Sequence, residues 1–310
     1  MARTFEEYFE HTNADYPVGV YYVDLKRMFM ERVRTQWHEA MEIDLLRSGR
    51  AVFSIGDEEF TAETGTAVWI NQNRLHAIRP ADGEDCQILS ILFSPLWLFE
   101  KPESFLAVKY CQPLTSEDSM PYMVLDRSEA YGRRALECID AILTANLDKA
   151  YGYELQSKSM FCGLWLQLLE KGAHPGGVSV HSLTDEQRVK DAMTYIHSNY
   201  SKALTLEDIA ASINVSKSEC CRAFKRSTGG SPFEYLLTQR ILEAARRMQR
   251  GDRSAATIQK LAAAAGFGNP SYFNRVFRKY TGYTPTQYRE IIKKSHRDAL
   301  SPYGISLARL

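Results

Sequence analysis

Apolar and polar positions change their rhythm twice along the chain. From Gly19 to about Phe93 the apolar residues come in short β-rich runs, VGVYYVDL, HEAMEIDLLRSG, AVFSIGDEEFTAETG, TAVWI and CQILSILF, parted by Gly, Asn and Asp. Runs of that length between turn residues predict a small antiparallel barrel or sandwich. After Arg127 the period becomes 3.6: Leu136, Ile139, Leu143 and Leu147, then Leu155, Phe161, Leu164, Trp165, Leu168 and Leu169, mark two amphipathic helices joined near Ala150-Tyr151-Gly152. We expect this hairpin to pack on the barrel and to dimerise the chain; the alternative is that both stripes serve only intramolecular core. Gly172 to Gly177 breaks all periodicity, and Thr184-Asp185-Glu186-Gln187 then reads as a capping box opening a helix with Val189, Met193 and Ile196 on its apolar face.

The last third is doubled. Arg222, Phe224, Lys225, Thr228, Gly229, Pro232 and Tyr235 recur 53 residues later as Arg275, Phe277, Arg278, Thr281, Gly282, Pro285 and Tyr288. In the first copy Thr205 caps a short helix, Asn214 occupies a left-handed turn, and Ser216-Lys217-Ser218-Glu219 is a capping box opening a second helix that ends at Gly229. In the second, Ile258, Leu261 and Ala262 lead to a turn at Gly266 and a helix from Asn269-Pro270 to Gly282, with one extra residue in the turn. Ser231-Pro232-Phe233-Glu234 and Thr284-Pro285-Thr286-Gln287 start a further helix after each copy. The helix from Pro232 to Met248 would be a stiff spacer between two helix-turn-helix units, which can enter successive major grooves only if held about 34 Å apart.

The organisation expected is an arm over 1–20, a β domain over 21–127, a hairpin over 128–171, a linker over 172–182, a helical domain over 183–294 and a tail over 295–310. Charge follows this division. The chain is neutral overall, yet residues 183–310 hold 21 Lys and Arg against 11 Asp and Glu. A basic module joined to an acidic one marks the C-terminal part as the seeker of a polyanion, double-stranded DNA. The N-terminus lacks an apolar signal core, no window is long and apolar enough to span a membrane, and the six cysteines show no CxxC spacing. We therefore expect a cytoplasmic protein without disulfides or a membrane partner.

The strings Ile209-Ala210 to Ala223-Phe224-Lys225, Gly266-Phe267, Ser271-Tyr272-Phe273, Arg275-Val276-Phe277-Arg278 and Gly282-Tyr283-Thr284-Pro285 resemble the double helix-turn-helix domain of the AraC/XylS family of transcription regulators. The resemblance covers about residues 185–292. It implies that Ser218, Cys221 and Arg222, and Pro270, Ser271, Asn274 and Arg275, face base edges. Arg222 and Arg275 stand out, since a guanidinium pairs bidentately with guanine. Lys225, Arg226, Arg278 and Lys279 are expected on phosphates, whereas Phe224, Phe277, Tyr235 and Tyr288 are expected in the core.

The β segment, through Trp37-His38-Glu39-Ala40-Met41-Glu42, Gly49, Gly65 and Asn71-Gln72-Asn73-Arg74-Leu75-His76, resembles the cupin-like effector domain of such regulators. His38, Glu42, Trp69 and His76 are candidate effector-pocket residues. Gln36, His38 and Glu42 would share one strand face, with His76 approaching from another strand. Gln36 stands where a metal-binding cupin has its first His, so we expect no metal and no cofactor. An indole beside a carboxylate and imidazoles suits a small polar metabolite such as a sugar. The reading is a non-enzymatic, effector-controlled regulator, expected to form a homodimer and, as an activator, to meet RNA polymerase. The alternatives are a metal-dependent cupin enzyme fused to a DNA-binding module and an activator that needs no effector.

Overall fold

The computed structural model describes residues 15–116, 119–172, 180–251, 257–294 and 305–307. The chain forms two compact units, one built mainly on residues 31–183 and the other mainly on 184–304. In the first, strands β1 (Val18–Asp24), β2 (Val33–Gln36), β3 (Met41–Ser48), β4 (Arg50–Ile55), β5 (Glu58–Glu63), β6 (Ala67–Ile70), β7 (His76–Pro80), β8 (Gln87–Phe93), β9 (Tyr122–Leu125) and β10 (Ile305–Leu307) make two antiparallel sheets. Their orders are β10-β1-β8-β3-β6-β9 and β2-β7-β4-β5. Short helices α1 (Pro95–Phe99) and α2 (Gln112–Thr115) precede β9, and α3 (Ala130–Asp148) and α4 (Tyr153–Gly172) form the hairpin.

The period-two alternation of β3 gives the larger sheet two different faces. Met41, Ile43 and Leu45 turn toward the hairpin and pack with Leu136, Ile139, Leu143, Phe161, Leu164, Trp165 and Leu168. Glu42, Asp44 and Leu46 turn the other way, toward the smaller sheet, and all are buried. Asn146 fastens the hairpin inside this packing: its Oδ1 accepts from Tyr16 Oη (2.9 Å) and its Nδ2 donates to Ser157 Oγ (2.9 Å). β1 begins at Val18, inside the range expected for the arm; residues 1–14 lie outside those described. β10 was unexpected. It pairs with β1, Tyr21 opposite Leu307, and three residues are too few to show a period.

The second unit is helical: α5 (Val180–Asn199), α6 (Leu206–Ser212), α7 (Lys217–Thr228), α8 (Pro232–Gln249), α9 (Ile258–Ala264), α10 (Pro270–Thr281) and α11 (Pro285–Lys294). The two turns, residues 213–216 between α6 and α7 and 265–269 between α9 and α10, differ by the one residue expected. Asn214 is left-handed (φ 55). Phe224 and Phe277 are fully buried and meet Tyr235 and Tyr288 edge-on, at centroid distances of 6.1 and 5.4 Å. The core thus repeats with the sequence.

Reciprocal caps at Thr205/Asp208, Ser231/Glu234 and Thr284/Gln287 start α6, α8 and α11. Two start signals behave differently from expectation. Ser216 accepts from the Glu219 backbone N–H, but the Glu219 carboxylate turns to Arg188 (3.2 Å), so the box is only half made. α5 starts at Val180 rather than at Thr184, because nothing in residues 180–183 breaks a helix; the linker core, 173–179, lies outside the described residues. Removing the cap in Ser231→Ala should cost the helical unit about 1 kcal/mol, seen as a lower urea midpoint for loss of far-ultraviolet helicity. No helix among the described residues is long and apolar enough to cross a membrane.

Candidate DNA interface and effector site

On α10 burial sorts the side chains by the helical period. Phe273, Val276 and Phe277 face the core with Leu261, Ile241 and Phe267. Pro270, Ser271, Asn274, Arg275, Arg278 and Lys279 are all exposed. The N-cap Asn269 accepts from the Ser271 and Tyr272 backbone N–H groups, so the first turn carrying Pro270 and Ser271 is rigidly held. Arg275 lies with its guanidinium 5.3 Å from the Tyr272 ring centre. On α7 the buried side is Cys220, Ala223 and Phe224, while Ser218, Arg222, Lys225 and Arg226 are exposed and Cys221 is half-buried.

The two expected phosphate pairs are not equivalent. Lys225 Nζ donates to the Gly229 carbonyl (2.8 Å), closing its own helix, and Arg226 is ion-paired with Asp185. Arg278 and Lys279 have no such carboxylate or carbonyl contact among the described residues. Sequence repetition shows the frame of each unit but not which cations the rest of the fold engages.

Arg240 of α8 escaped the sequence reading as a positioning residue. Its side chain is buried, with Nε donating to the Tyr200 carbonyl and Nη2 to the Lys202 carbonyl (both 2.7 Å). The same guanidinium lies 5.6 Å from the Phe267 ring centre. One side chain of the spacer helix thereby touches the entry to the first helix-turn-helix and the turn of the second. Burial lowers its pKa from the ordinary value. The available signal was a charged residue among the apolar positions Leu236, Ile241 and Ala244.

In the β unit, three of the four pocket candidates converge. Gln36, the last residue of β2, lies opposite His76, the first of β7, and Gln36 Nε2 is 3.1 Å from His76 Nε2. Glu42 comes from β3 in the other sheet. Contrary to expectation, His38 does not share a strand with Glu42; it stands at the corner where the chain crosses from one sheet to the other. Asn73 (φ 56) holds that corner by donating its backbone N–H to the His38 carbonyl (2.8 Å). Glu42 Oε2 is 3.0 Å from His38 Nε2 and 3.1 Å from His76 Nε2, and all three side chains are buried. Among the described residues, His38, Glu42 and His76 form a group that could hold a metal ion: one donor atom from each lies within 4.8 Å of the others.

Trp69 is not brought to this cluster. Its strand partner is Ile43, whereas Glu42 lies opposite Ile70, so the indole shares the hairpin side of the sheet. The indole expected to stack on a sugar therefore does not lie beside the carboxylate. A second acid that the sequence reading passed over, Asp44, shares the Glu42 face and accepts a short hydrogen bond from Ser90 Oγ. Burial, then the neighbouring Glu42 carboxylate, raises Asp44 well above the ordinary carboxyl pKa. Burial acts to raise Glu42 too, but the imidazoles of His76 and His38 outweigh it and hold that carboxyl well below its usual range.

A double-sheet domain with a buried polar cluster, joined in sequence to a helical domain with two repeated helix-turn-helix frames, is an architecture suited to a DNA-binding regulator with a ligand-binding domain. Comparison with known proteins agrees. The AraC-like ligand binding domain matches residues 28–156 and a helix-turn-helix domain matches residues 209–291. The chain belongs to the AraC family of transcription regulators. It is 25% identical over 289 residues to the uncharacterized HTH-type transcriptional regulator YdeC of Bacillus subtilis, covering 93% of this chain and 97% of that one. It is 23% identical over 258 residues to the HTH-type transcriptional activator RhaS of Pectobacterium atrosepticum, covering 82% and 86%. Among solved structures, ToxT from Vibrio cholerae aligns over 89% of this chain and 97% of its own at 14% identity, with a TM-score of 0.44.

Proposed function

We propose that this regulator binds DNA sequence-specifically through α7 and α10, under the control of a small polar or charged effector taken up by the β unit. The observation that carries the DNA reading is the sorting of α10: every position assigned to bases or phosphates is exposed, while Phe273, Val276 and Phe277 between them are buried core and Tyr272 is half-buried against it. Ser218, Cys221 and Arg222 on α7, and Pro270, Ser271, Asn274 and Arg275 on α10, are assigned to base edges. Lys225, Arg226, Arg278 and Lys279 are assigned to phosphates, with the α10 pair carrying more of that role because Lys225 and Arg226 are engaged within the protein. The basic C-terminal part and the polarity of the exposed stripe favour contact with a duplex over packing.

The buried His38, Glu42 and His76 cluster supports an effector site. It favours a ligand that is polar or charged, and with Trp69 on the opposite face it does not favour a stacked sugar ring. We assign the hairpin the role of a homodimer contact: Leu155, Cys162 and Leu166 are exposed on α4 at spacings of seven and four. The protein would act in the cytoplasm, where its DNA partner is. Transcriptional activation through RNA polymerase is the sense in which we place it, in keeping with the relative named an activator. Arg278→Ala tests the DNA reading: it should weaken binding to every duplex alike and reduce the slope of log affinity against log salt by about one. Unchanged affinity and slope would remove α10 from the phosphate contacts.

A further inference from the structure

We propose that His38, Glu42 and His76 form a binding site for a divalent first-row transition cation, with Gln36 as its fourth protein ligand. The reason lies in the far side of each imidazole. His38 Nδ1 is 2.9 Å from the Ala40 carbonyl oxygen, and His76 Nδ1 is 2.9 Å from the Arg74 carbonyl oxygen. A carbonyl only accepts, so each Nδ1 carries a hydrogen, and in the neutral ring each Nε2 is a lone pair. Both Nε2 atoms are aimed at one oxygen, Glu42 Oε2, at 3.0 and 3.1 Å. Two ring nitrogens and a carboxylate oxygen this close and this buried call for positive charge among them, either protons on the Nε2 atoms or a bound cation.

The spacing fits a metal ion as that charge. Ligand bonds of about 2.1 Å at right angles place neighbouring donors about 3.0 Å apart, close to the two separations found. The Nδ1–H bonds to backbone carbonyls are the outer contacts by which proteins orient metal-bound imidazoles. Two imidazole nitrogens with one carboxylate select a transition cation over magnesium or calcium, which prefer all-oxygen sites. Gln36 completes the set. Its amide lies 3.1 Å from His76 Nε2, and rotation of that amide exchanges nitrogen for oxygen and presents Oε1 as a donor. The residue that led to the expectation of no metal is thus a usable, weaker ligand. Protons on both Nε2 atoms would supply positive charge too, and the experiment separates the two.

This inference deepens the effector reading by naming the ligand class, and its regulatory consequence rests on that reading. The full chain, stripped with a chelator, is titrated with Co²⁺ and Zn²⁺. We expect one equivalent bound, visible d–d absorption from Co²⁺, and a loss of affinity of about 100-fold in His76→Ala. Gln36→His should gain about tenfold or more by supplying a third imidazole, a result that misfolding cannot mimic. Absence of stoichiometric binding in both the natural chain and Gln36→His, or binding unaffected by His76→Ala, would overturn the proposal in favour of a protonated cluster. Operator affinity is then measured with and without Zn²⁺. A change supports the ion as effector; equal affinity with the ion bound overturns the effector role while leaving the site in place.

Discussion

Arg240→Ala should destabilise the helical unit by about 3 kcal/mol and abolish tight operator binding. The change strips charge-assisted hydrogen bonds from two backbone carbonyls, Tyr200 and Lys202, and removes the guanidinium from beside Phe267. Hydrogen bonds to charged groups contribute about 1.5–3 kcal/mol each, and water entering the vacated space recovers only part of that. DNA binding suffers for a geometric reason as well. Two recognition helices serve one duplex only when the spacer presents both in register, and Arg240 ties the spacer to both units. The chain offers a convenient measurement, because Trp37, Trp69, Trp97 and Trp165, its four tryptophans, all precede residue 184. A shift in helicity loss that tryptophan fluorescence does not follow reports the helical unit alone. We expect such a shift of roughly 12–20 °C with the tryptophan transition unmoved; coincident, unshifted transitions would show that Arg240 does not hold this unit together.

Gly266→Ala acts at the same place from the other side and should cost roughly 3–4 kcal/mol. Gly266 has φ +85, which L side chains rarely adopt, and a Cβ there would sit on the Tyr200 carbonyl oxygen and 2.9 Å from Arg240 Nε. The left-handed backbone alone accounts for about 1–2 kcal/mol; displacing a backbone carbonyl and the Arg240 hydrogen bonds accounts for the rest. Gly268 is the internal control, since it lies in the same turn, has no such φ, and has open space around its missing Cβ. Gly268→Ala should change stability by no more than about 0.5 kcal/mol. Equal effects of the two substitutions on the helicity midpoint would mean that the close approach at Gly266 is unimportant.

The helical unit was legible because its signals are local. A cap, its partner three residues on, a closing glycine and an aromatic on the inward face can each be read within one turn of helix, and Thr205, Ser231, Thr284, Phe224 and Phe277 all act as their neighbours dictate. Local reading did not reach the contacts made by distant groups. Glu219 leaves its capping box for Arg188, 31 residues away, and Arg226 is drawn to Asp185, 41 residues away. Arg240 looked like one more spacer residue because its carbonyl partners lie about forty positions upstream.

In the β unit the limiting quantity was strand register. Alternation along β3 correctly separates Glu42 from Met41 and Ile43, but it cannot say that the strand ends at Met41 and that His38 stands at a corner between sheets. Nor can it give the pairing of Trp69 with Ile43, which turns the indole away from the carboxylate. Asp44 was readable as an acid inside an apolar strand. Its importance shows only once Glu42 and Ser90 are beside it.

The repeated unit is expected to read two separate stretches of one duplex with matching arginines. Selection of binding sites from random duplexes, by the full chain and by Arg222→Ala and Arg275→Ala, tests it most directly. Each variant should lose discrimination at one base position, worth about 1–3 kcal/mol or roughly 5- to 150-fold, while keeping its preference elsewhere. The two positions should lie about 10 base pairs apart, one turn of DNA. Selection profiles of both variants identical to that of the natural chain would contradict the claim.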